Sequence, residues 1–247
     1  MNFFTEEIIR WYNINKRNLP WRNCNDPYLI WLSEVILQQT KIEQGLSYYE
    51  RFTQKYPTIK QLAEANSDDV MKLWQGLGYY SRARNMHLTA KQIVLERNGI
   101  FPNNYQDILN LKGVGNYTAA AIASFAFDLP YAVVDGNVYR VLSRVFGIKK
   151  PIDTGAGQKF FAKLAQQLLN INYPAIHNQA IMEFGSQQCR PLKPNCGVCP
   201  LKLNCKAYST NSVNLLPRKK KSIKVSNRYF EYLIYIQKGK IFVAVFL

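Results

Sequence analysis

The sequence predicts a mostly α-helical chain ending in a short β-hairpin. Three observations carry that reading. Apolar residues recur at helical spacing in one segment after another from Thr5 to Gln187. Proline, glycine and capping residues punctuate those segments. After a basic stretch, Arg218-Lys219-Lys220-Lys221 and Lys224, the composition turns abruptly aromatic and β-branched. A chain of 247 residues can bury a sizeable core and form one or two domains, and its 47% hydrophobic share is ordinary for a globular protein.

Thr5 is expected to cap a helix running to about Lys16, with Ile8, Ile9, Trp11 and Tyr12 as its apolar contacts. Leu19-Pro20-Trp21-Arg22 breaks it, and Trp21 reads either as core packing or as a stacking platform. Asp26-Pro27 is an N-cap followed by proline at the first helical position, opening a helix to about Gln39. Ile30, Trp31, Val35 and Ile36 pack, and Glu34 sits among them. A carboxylate there either faces solvent or is buried, and burial would raise its pKa toward neutrality. Leu37-Gln38-Gln39-Thr40 ends this helix with adjacent amides, able to bond base edges but equally common at solvated helix ends.

Further helices are expected over about Ile42 to Gln54, from a Ser67-Asp68-Asp69 cap through Trp74, and from Ser81 as cap to about Asn98. Gly76-Leu77-Gly78-Tyr79-Tyr80-Ser81-Arg82 mixes glycines, aromatics and bases in the manner of a nucleic-acid contact loop. Leu111-Lys112-Gly113-Val114-Gly115 then precedes an apolar helix, Asn116 to about Phe127. The two glycines fit either a tight helix–helix turn or a backbone cradle for a phosphate at the helix start. Past Pro130 comes Val134-Asp135-Gly136-Asn137, then a helix to about Phe146 with Arg140 and Arg144 on one face, and helices over about Ala156 to Asn170 and Pro174 to Gln187. His87 and His177 match no motif and read as structural or surface residues. Tyr229 to Gln237 and Ile241 to Leu247, joined by Lys238-Gly239-Lys240, form the hairpin.

The charge narrows the function. With 32 basic and 16 acidic residues, the net +16 favours a polyanionic partner through phosphate neutralisation and counterion release. No apolar run is long enough to span a membrane, and the acidic Met1-Asn2-Phe3-Phe4-Thr5-Glu6-Glu7 start lacks the pattern of a signal peptide, so a cytosolic chain without a membrane partner is expected. Cys189, Cys196, Cys199 and Cys205, spaced C-x6-C-x2-C-x5-C, point to a metal site. Four thiolates suit an iron–sulfur cluster or structural zinc, and spacing does not choose between them. Cys24 stands apart as an unligated thiol.

Taken together, Leu19-Pro20-Trp21-Arg22, the segment Trp31 to Thr40, Gly76-Leu77-Gly78-Tyr79-Tyr80, the Leu111–Gly115 turn, Val134-Asp135-Gly136-Asn137-Val138 and the four cysteines resemble the helix–hairpin–helix DNA glycosylases that carry an iron–sulfur loop, specifically the MutY-type adenine DNA glycosylases. The likeness runs from about Phe3 to Pro217. It implies an all-α helix–hairpin–helix glycosylase fold: a six-helix barrel domain over residues 17–134, an iron–sulfur cluster domain from 1–16 and 135–214, a basic linker over 215–227, and over 228–247 the start of a C-terminal β domain, Nudix-like in the family. It implies one 4Fe–4S cluster on Cys189, Cys196, Cys199 and Cys205, and a monomer acting in the cytoplasm, at the nucleoid.

The implied substrate is adenine opposite 8-oxoguanine or guanine in double-stranded DNA, extruded from the stack for excision. Gln39 and Tyr79 match positions that fill and wedge the stack, and Lys112, Gly113 and Gly115 match the DNA-gripping hairpin. Trp21, Arg22, Leu37 and Gln179 match the adenine pocket. Glu34 would protonate adenine at N7, Asp135 would stabilise the cationic sugar, and Tyr117 and Asn137 would position these groups and the water. The related endonuclease III enzymes carry at position 117 a lysine that forms a Schiff base. Tyr117 here, with Tyr139 where some relatives also have lysine, implies base excision without strand cleavage. Two other readings stand beside this one: an endonuclease III-like lyase on damaged pyrimidines, and a non-enzymatic DNA-binding module.

Overall fold

The computed structural model describes residues 3–220, 231–237 and 240–246. Twelve α-helices occupy the first stretch and a two-stranded sheet the last two. Helices α1 (Phe3–Asn15), α2 (Pro27–Leu37), α3 (Ile42–Lys55), α4 (Ile59–Glu64), α5 (Ser67–Trp74) and α6 (Ser81–Arg97) come first. They are followed by α7 (Tyr105–Leu109), α8 (Asn116–Phe127), α9 (Gly136–Val145), α10 (Gly155–Leu168), α11 (Pro174–Gln187) and α12 (Lys206–Ser209). Strands β1 (Glu231–Gln237) and β2 (Lys240–Phe246) pair antiparallel, Glu231 opposite Phe246 and Gln237 opposite Lys240. The end of the basic linker, with Lys221 and Lys224, and the expected hairpin residues Tyr229, Lys238, Gly239 and Leu247 lie outside the described residues.

Local chemistry starts most of these helices. Asp26 accepts from the Tyr28 N–H at 2.8 Å with Pro27 behind it, Thr58 and Gln61 form a capping box, and Thr154 accepts from the Gly157 N–H. Left-handed residues stop two of them, Asn98 after α6 and Asp128 after α8.

Four expected ends move, each for a physical reason. Thr5 lies inside α1, buried, and its hydroxyl donates to the Leu168 carbonyl at 3.0 Å instead of capping. Asn66 caps α5, so Ser67 is the first helical residue. Ser81 makes no cap, because the chain enters α6 through a turn in which the Arg82 and Arg84 N–H groups bond the Tyr79 and Tyr80 carbonyls. Helix α2 stops at Leu37, since Gln38 (ψ 113°) and left-handed Gln39 (φ 55°) form a turn closed by the Thr40 N–H on the Leu37 carbonyl. His87 and His177 are both buried, so they are structural and not surface residues.

Among the described residues two large hydrophobic cores form, with a small cluster of Ala120, Ala121 and Val133 beside them. The larger gathers Trp31, Ile36, Phe52, Leu62, Trp74, Met86 and Ile93 from α2 to α6 and closes on Ala119, Ile122 and Ala123 of α8. The other joins Phe4 and Ile8 of α1 to Val141, Leu142, Phe161, Ile181 and Phe184 of α9, α10 and α11. Helix α11 packs on α1, α8 and α9, and α8 packs on α2, so the last turn of α2, the starts of α8 and α9 and the middle of α11 line one junction. The glycine turn sits beside this junction: Gly113 is left-handed (φ 77°), the Val114 N–H bonds the Leu111 carbonyl, and Thr89 donates to the Lys112 carbonyl at 2.8 Å. A Cβ on Gly113 would come within 3.0 Å of the Asn85 side chain, so the position needs glycine for both conformation and space.

Candidate active site

At the junction of the helices lies a cavity of about 490 Å³, within the usual range for ligand sites. Glu34 reaches it from α2 and is 8% exposed. Tyr117, in the first turn of α8 just beyond the glycine turn, hydrogen-bonds to Glu34. Asp135 enters as the N-cap of α9, accepting from the Val138 N–H at 2.8 Å and from Asn137 Nδ2 at 2.7 Å. The Asn137 Oδ1 accepts from Arg140 Nη2 at 2.7 Å, so that amide is fixed at both ends. Gly185 permits the arrangement, since a Cβ there would lie 2.6 Å from the Asn137 Cβ.

The two carboxyl groups live in different company. Burial and the nearby negative charge of Asp135 push Glu34 up to about 7, against the Tyr117 hydrogen bond and the positive charge of Arg22. Burial also raises Asp135, but the Val138 N–H, the Asn137 amide and Arg140 all favour its ionised form. The donors and Arg140 around Asp135 thus favour its anion, whereas the surroundings of Glu34 favour its protonated form, environments suited to an anion and an acid respectively. Tyr117, raised well above the ordinary phenol value by burial and by both carboxylates, remains a hydrogen-bond donor.

The walls hold Trp21, Arg22, Leu37, Gln39 and Gln179 as well. Trp21 belongs to both its sequence readings: it packs edge-on against Tyr49 at 5.1 Å and also lines the cavity. Gln179 Oε1 accepts from the Tyr12 hydroxyl at 2.6 Å. Tyr79, Lys112, Gly113 and Gly115 lie outside this cavity. Tyr79 is left-handed (φ 49°) and 63% exposed on the loop before α6, and Gly115 begins α8 with no side-chain cap.

Two groups support these residues in ways the sequence did not show: Arg82, expected in a nucleic-acid contact loop, bonds the protein's own carbonyls, and Glu183 was not singled out. Arg82 Nη1 donates to the Val35, Ile36 and Gln38 carbonyls at 2.6 to 3.1 Å, and its guanidinium lies over the Trp74 and Tyr79 rings. It thereby ties the Gln39 turn to the Tyr79 loop. Glu183, 1% exposed on α11, receives Arg17 Nε and Nη2 and Arg22 Nη2, each at 2.7 Å. Burial would raise this carboxylate, but the two guanidinium groups prevail and bring it down to about 2.

Cys189, Cys196, Cys199 and Cys205 face one small cavity near α9, and none forms a disulfide. Arg140 Nε and Arg144 Nη1 both donate to the Cys189 carbonyl, and Arg144 Nη1 lies 3.4 Å from Cys189 Sγ. Among the described residues no three His, Cys, Asp or Glu side chains are drawn together tightly enough to hold a metal ion as they stand. The four thiols nonetheless share one wall with two cations behind it, an all-sulfur donor set of the kind iron–sulfur clusters and structural zinc use. Cys24 lies apart, its thiol near the Trp21 carbonyl.

Residues 32–167 match the profile of the family described as HhH-GPD superfamily base excision DNA repair protein. The adenine DNA glycosylase of Buchnera aphidicola subsp. Baizongia pistaciae is 38% identical over 236 residues, covering 94% of this chain and 67% of that protein. That of Mus musculus is 42% identical over 214 residues, covering 83% of this chain and 42% of that protein. The chain thus spans about two thirds of one relative and less than half of the other. A thermostable thymine-DNA glycosylase superposes with a TM-score of 0.78 at 30% identity, covering 84% of this chain and 95% of that one. Endonuclease III in a non-covalent DNA complex superposes at 0.72 with 21% identity, covering 85% and 95%, a likeness of fold. The chain belongs to the HhH-GPD superfamily of base excision DNA repair proteins, among the adenine DNA glycosylases.

Proposed function

We propose that this protein hydrolyses the N-glycosidic bond of adenine mispaired with 8-oxoguanine or guanine in duplex DNA, without cutting the strand. The observation that carries this reading is the pair of carboxyl groups in one cavity, Glu34 holding a proton near neutrality and Asp135 held by donors that favour its anion. Tyr79 and Gln39, exposed on loops tied together by Arg82, fill the stack as adenine swings out. Lys112 and the backbone at Gly113 and Gly115 hold a phosphate at the free start of α8. Trp21, Arg22, Leu37 and Gln179 enclose the extruded base.

Glu34 then donates its proton to adenine N7, and the electrons of the C1′–N9 bond leave with the base. Asp135 stabilises the resulting oxocarbenium-like sugar, with Asn137 holding its carboxylate. Water adds at C1′ and gives its proton to the Glu34 carboxylate, which restores the acid. Tyr117 cannot act as a Schiff-base amine, and Tyr139 packs against Phe161. Cys189, Cys196, Cys199 and Cys205 would hold one 4Fe–4S cluster, which would cross-link the loop before α12 to the end of α11 and serve structure. Residues 17–134 form the barrel domain and 1–16 with 135–214 the cluster domain, a division that the two hydrophobic cores support. The protein works as a monomer on nucleoid DNA.

The test is single-turnover adenine release from duplexes with adenine opposite 8-oxoguanine or guanine, with Glu34→Gln beside the parent protein. Alkali-dependent breaks that vanish in the variant, with no borohydride-trapped adduct, are expected. Rapid strand cleavage with trapping would overturn the monofunctional reading. Tight DNA binding without release from either duplex would favour a binding module.

A further inference from the structure

The active-site cavity has one positively charged wall residue, Arg22, on the short helical turn Pro20–Arg22. Its charge works against the proton on Glu34. Behind it, on α11, stands Glu183, buried and bonded at 2.7 Å to Arg22 Nη2 and, through both oxygens, to Arg17. The Arg17 N–H adds a fourth bond at 3.1 Å, and Gln187 donates as well. Arg22 also lies over the Tyr12 ring at 5.7 Å, and Tyr12 holds Gln179. We propose that Glu183 is a positioning residue that fixes Arg22 in the pocket wall and offsets part of the positive charge of Arg22 and Arg17, so that Glu34 faces a less positive wall than the two guanidinium groups alone would make. The inference rests on Glu34 being the acid of the proposed function.

The groups facing Glu34 are few. Tyr117 comes from α8, Asp135 from the start of α9, and Arg22 from the turn before α2. The hydrogen bonds of Glu183 go to Arg17, Arg22 and Gln187 and none to Tyr117 or Asp135, so a change there acts on Glu34 through Arg22. Removing the carboxylate charge leaves Arg22 uncompensated and makes it easier for Glu34 to ionise. Removing Arg17 instead leaves one cation for one anion and has the opposite sign.

Glu183→Gln should shift the basic limb of the single-turnover pH–rate profile to lower pH by roughly one pH unit, an effect of the size a nearby charge exerts. At pH 8 the rate should fall about tenfold, with little change on the acid side. Arg17→Met, which keeps the Arg22–Glu183 pair, should move the limb to higher pH. The Glu34 carboxyl carbon resonance, assigned by its loss in Glu34→Gln, should titrate with the same two shifts in DNA-free protein. An unmoved resonance in folded Glu183→Gln would overturn the proposal, as would a downward shift in Arg17→Met. Where Glu183→Gln fails to fold, the Arg17→Met resonance decides by its direction. Resonance shifts without adenine release in the parent protein would keep the Glu183 inference and refute the glycosylase reading.

Discussion

Glu34→Gln should stabilise the protein above neutral pH while abolishing adenine release. An unfolded glutamate ionises near 4.5, whereas Glu34 in the folded protein holds its proton up to about 7. Below the lower value both states are protonated and the group has no effect on stability. As pH rises between the two, the unfolded chain loses its proton while the folded one retains it. Each pH unit in that window costs the folded state about 1.4 kcal/mol, so about 3 kcal/mol is lost by pH 7 and the loss then levels off. Glutamine fills the same space, can accept from the Tyr117 hydroxyl and has no charge to bury. The stability difference between variant and parent should therefore grow by about 3 kcal/mol from pH 4 to pH 8, or roughly 6–12 °C in Tm for a protein of this size. Denaturant or thermal unfolding at a series of pH values measures it, because titrating groups that do not face Glu34 cancel in the difference. A difference that stays flat with pH would show that Glu34 titrates normally and would remove the physical basis for its role as an acid. In parallel, the parent's single-turnover rate should drop through pH 7, since about half of Glu34 is protonated there and about a tenth at pH 8.

Other expected outcomes follow from neighbouring contacts. Asp135→Asn keeps an N-cap on α9 but removes the anion, so adenine release should fall by about 10²-fold or more while the melting temperature moves by a few degrees at most. Arg82→Ala strips the carbonyls at the end of α2 of their donor and frees the Tyr79 loop. Base extrusion, read by 2-aminopurine fluorescence, and adenine release should then decline together by about tenfold or more. Arg82→Lys should rescue little, because one ammonium cannot span what the guanidinium does. Cys199→Ser should eliminate visible absorption from the purified protein and lower its stability, whereas a colourless parent containing zinc would refute the cluster.

The helices of eight residues or more were legible from their local apolar spacing, whereas the short α4, α7 and α12 were not expected. Asp26 with Pro27, and the apolar stretch from Asn116 to Phe127, announce themselves within a few residues. Ends set by distant partners were not. Helix α2 stops two residues short of the expected Gln39 where Arg82, more than forty residues on, takes its last carbonyls. Thr5 read as a cap because its bond to the Leu168 carbonyl has no trace in the neighbouring sequence.

The same contrast separates Glu34 from Glu183. Each is a carboxylate among apolar neighbours on a helix, and that signal was enough to single out Glu34. Met182-Glu183-Phe184 carries it equally, yet nothing local distinguishes Glu183, since its partners Arg17 and Arg22 lie more than 160 residues away. Their opposite environments decide what each can do. Glu183 is saturated by two guanidinium groups and stays ionised down to about pH 2, so it has no proton to give near neutrality. Glu34 has one phenol as donor and an anion nearby, so burial prevails and it remains an acid. The fold thus makes two buried glutamates, one lining the cavity and one behind Arg22 of its wall, into a proton donor and a fixed charge. It does so by delivering the arginines to one of them, and that assignment depends on α11 packing beside the turn before α2.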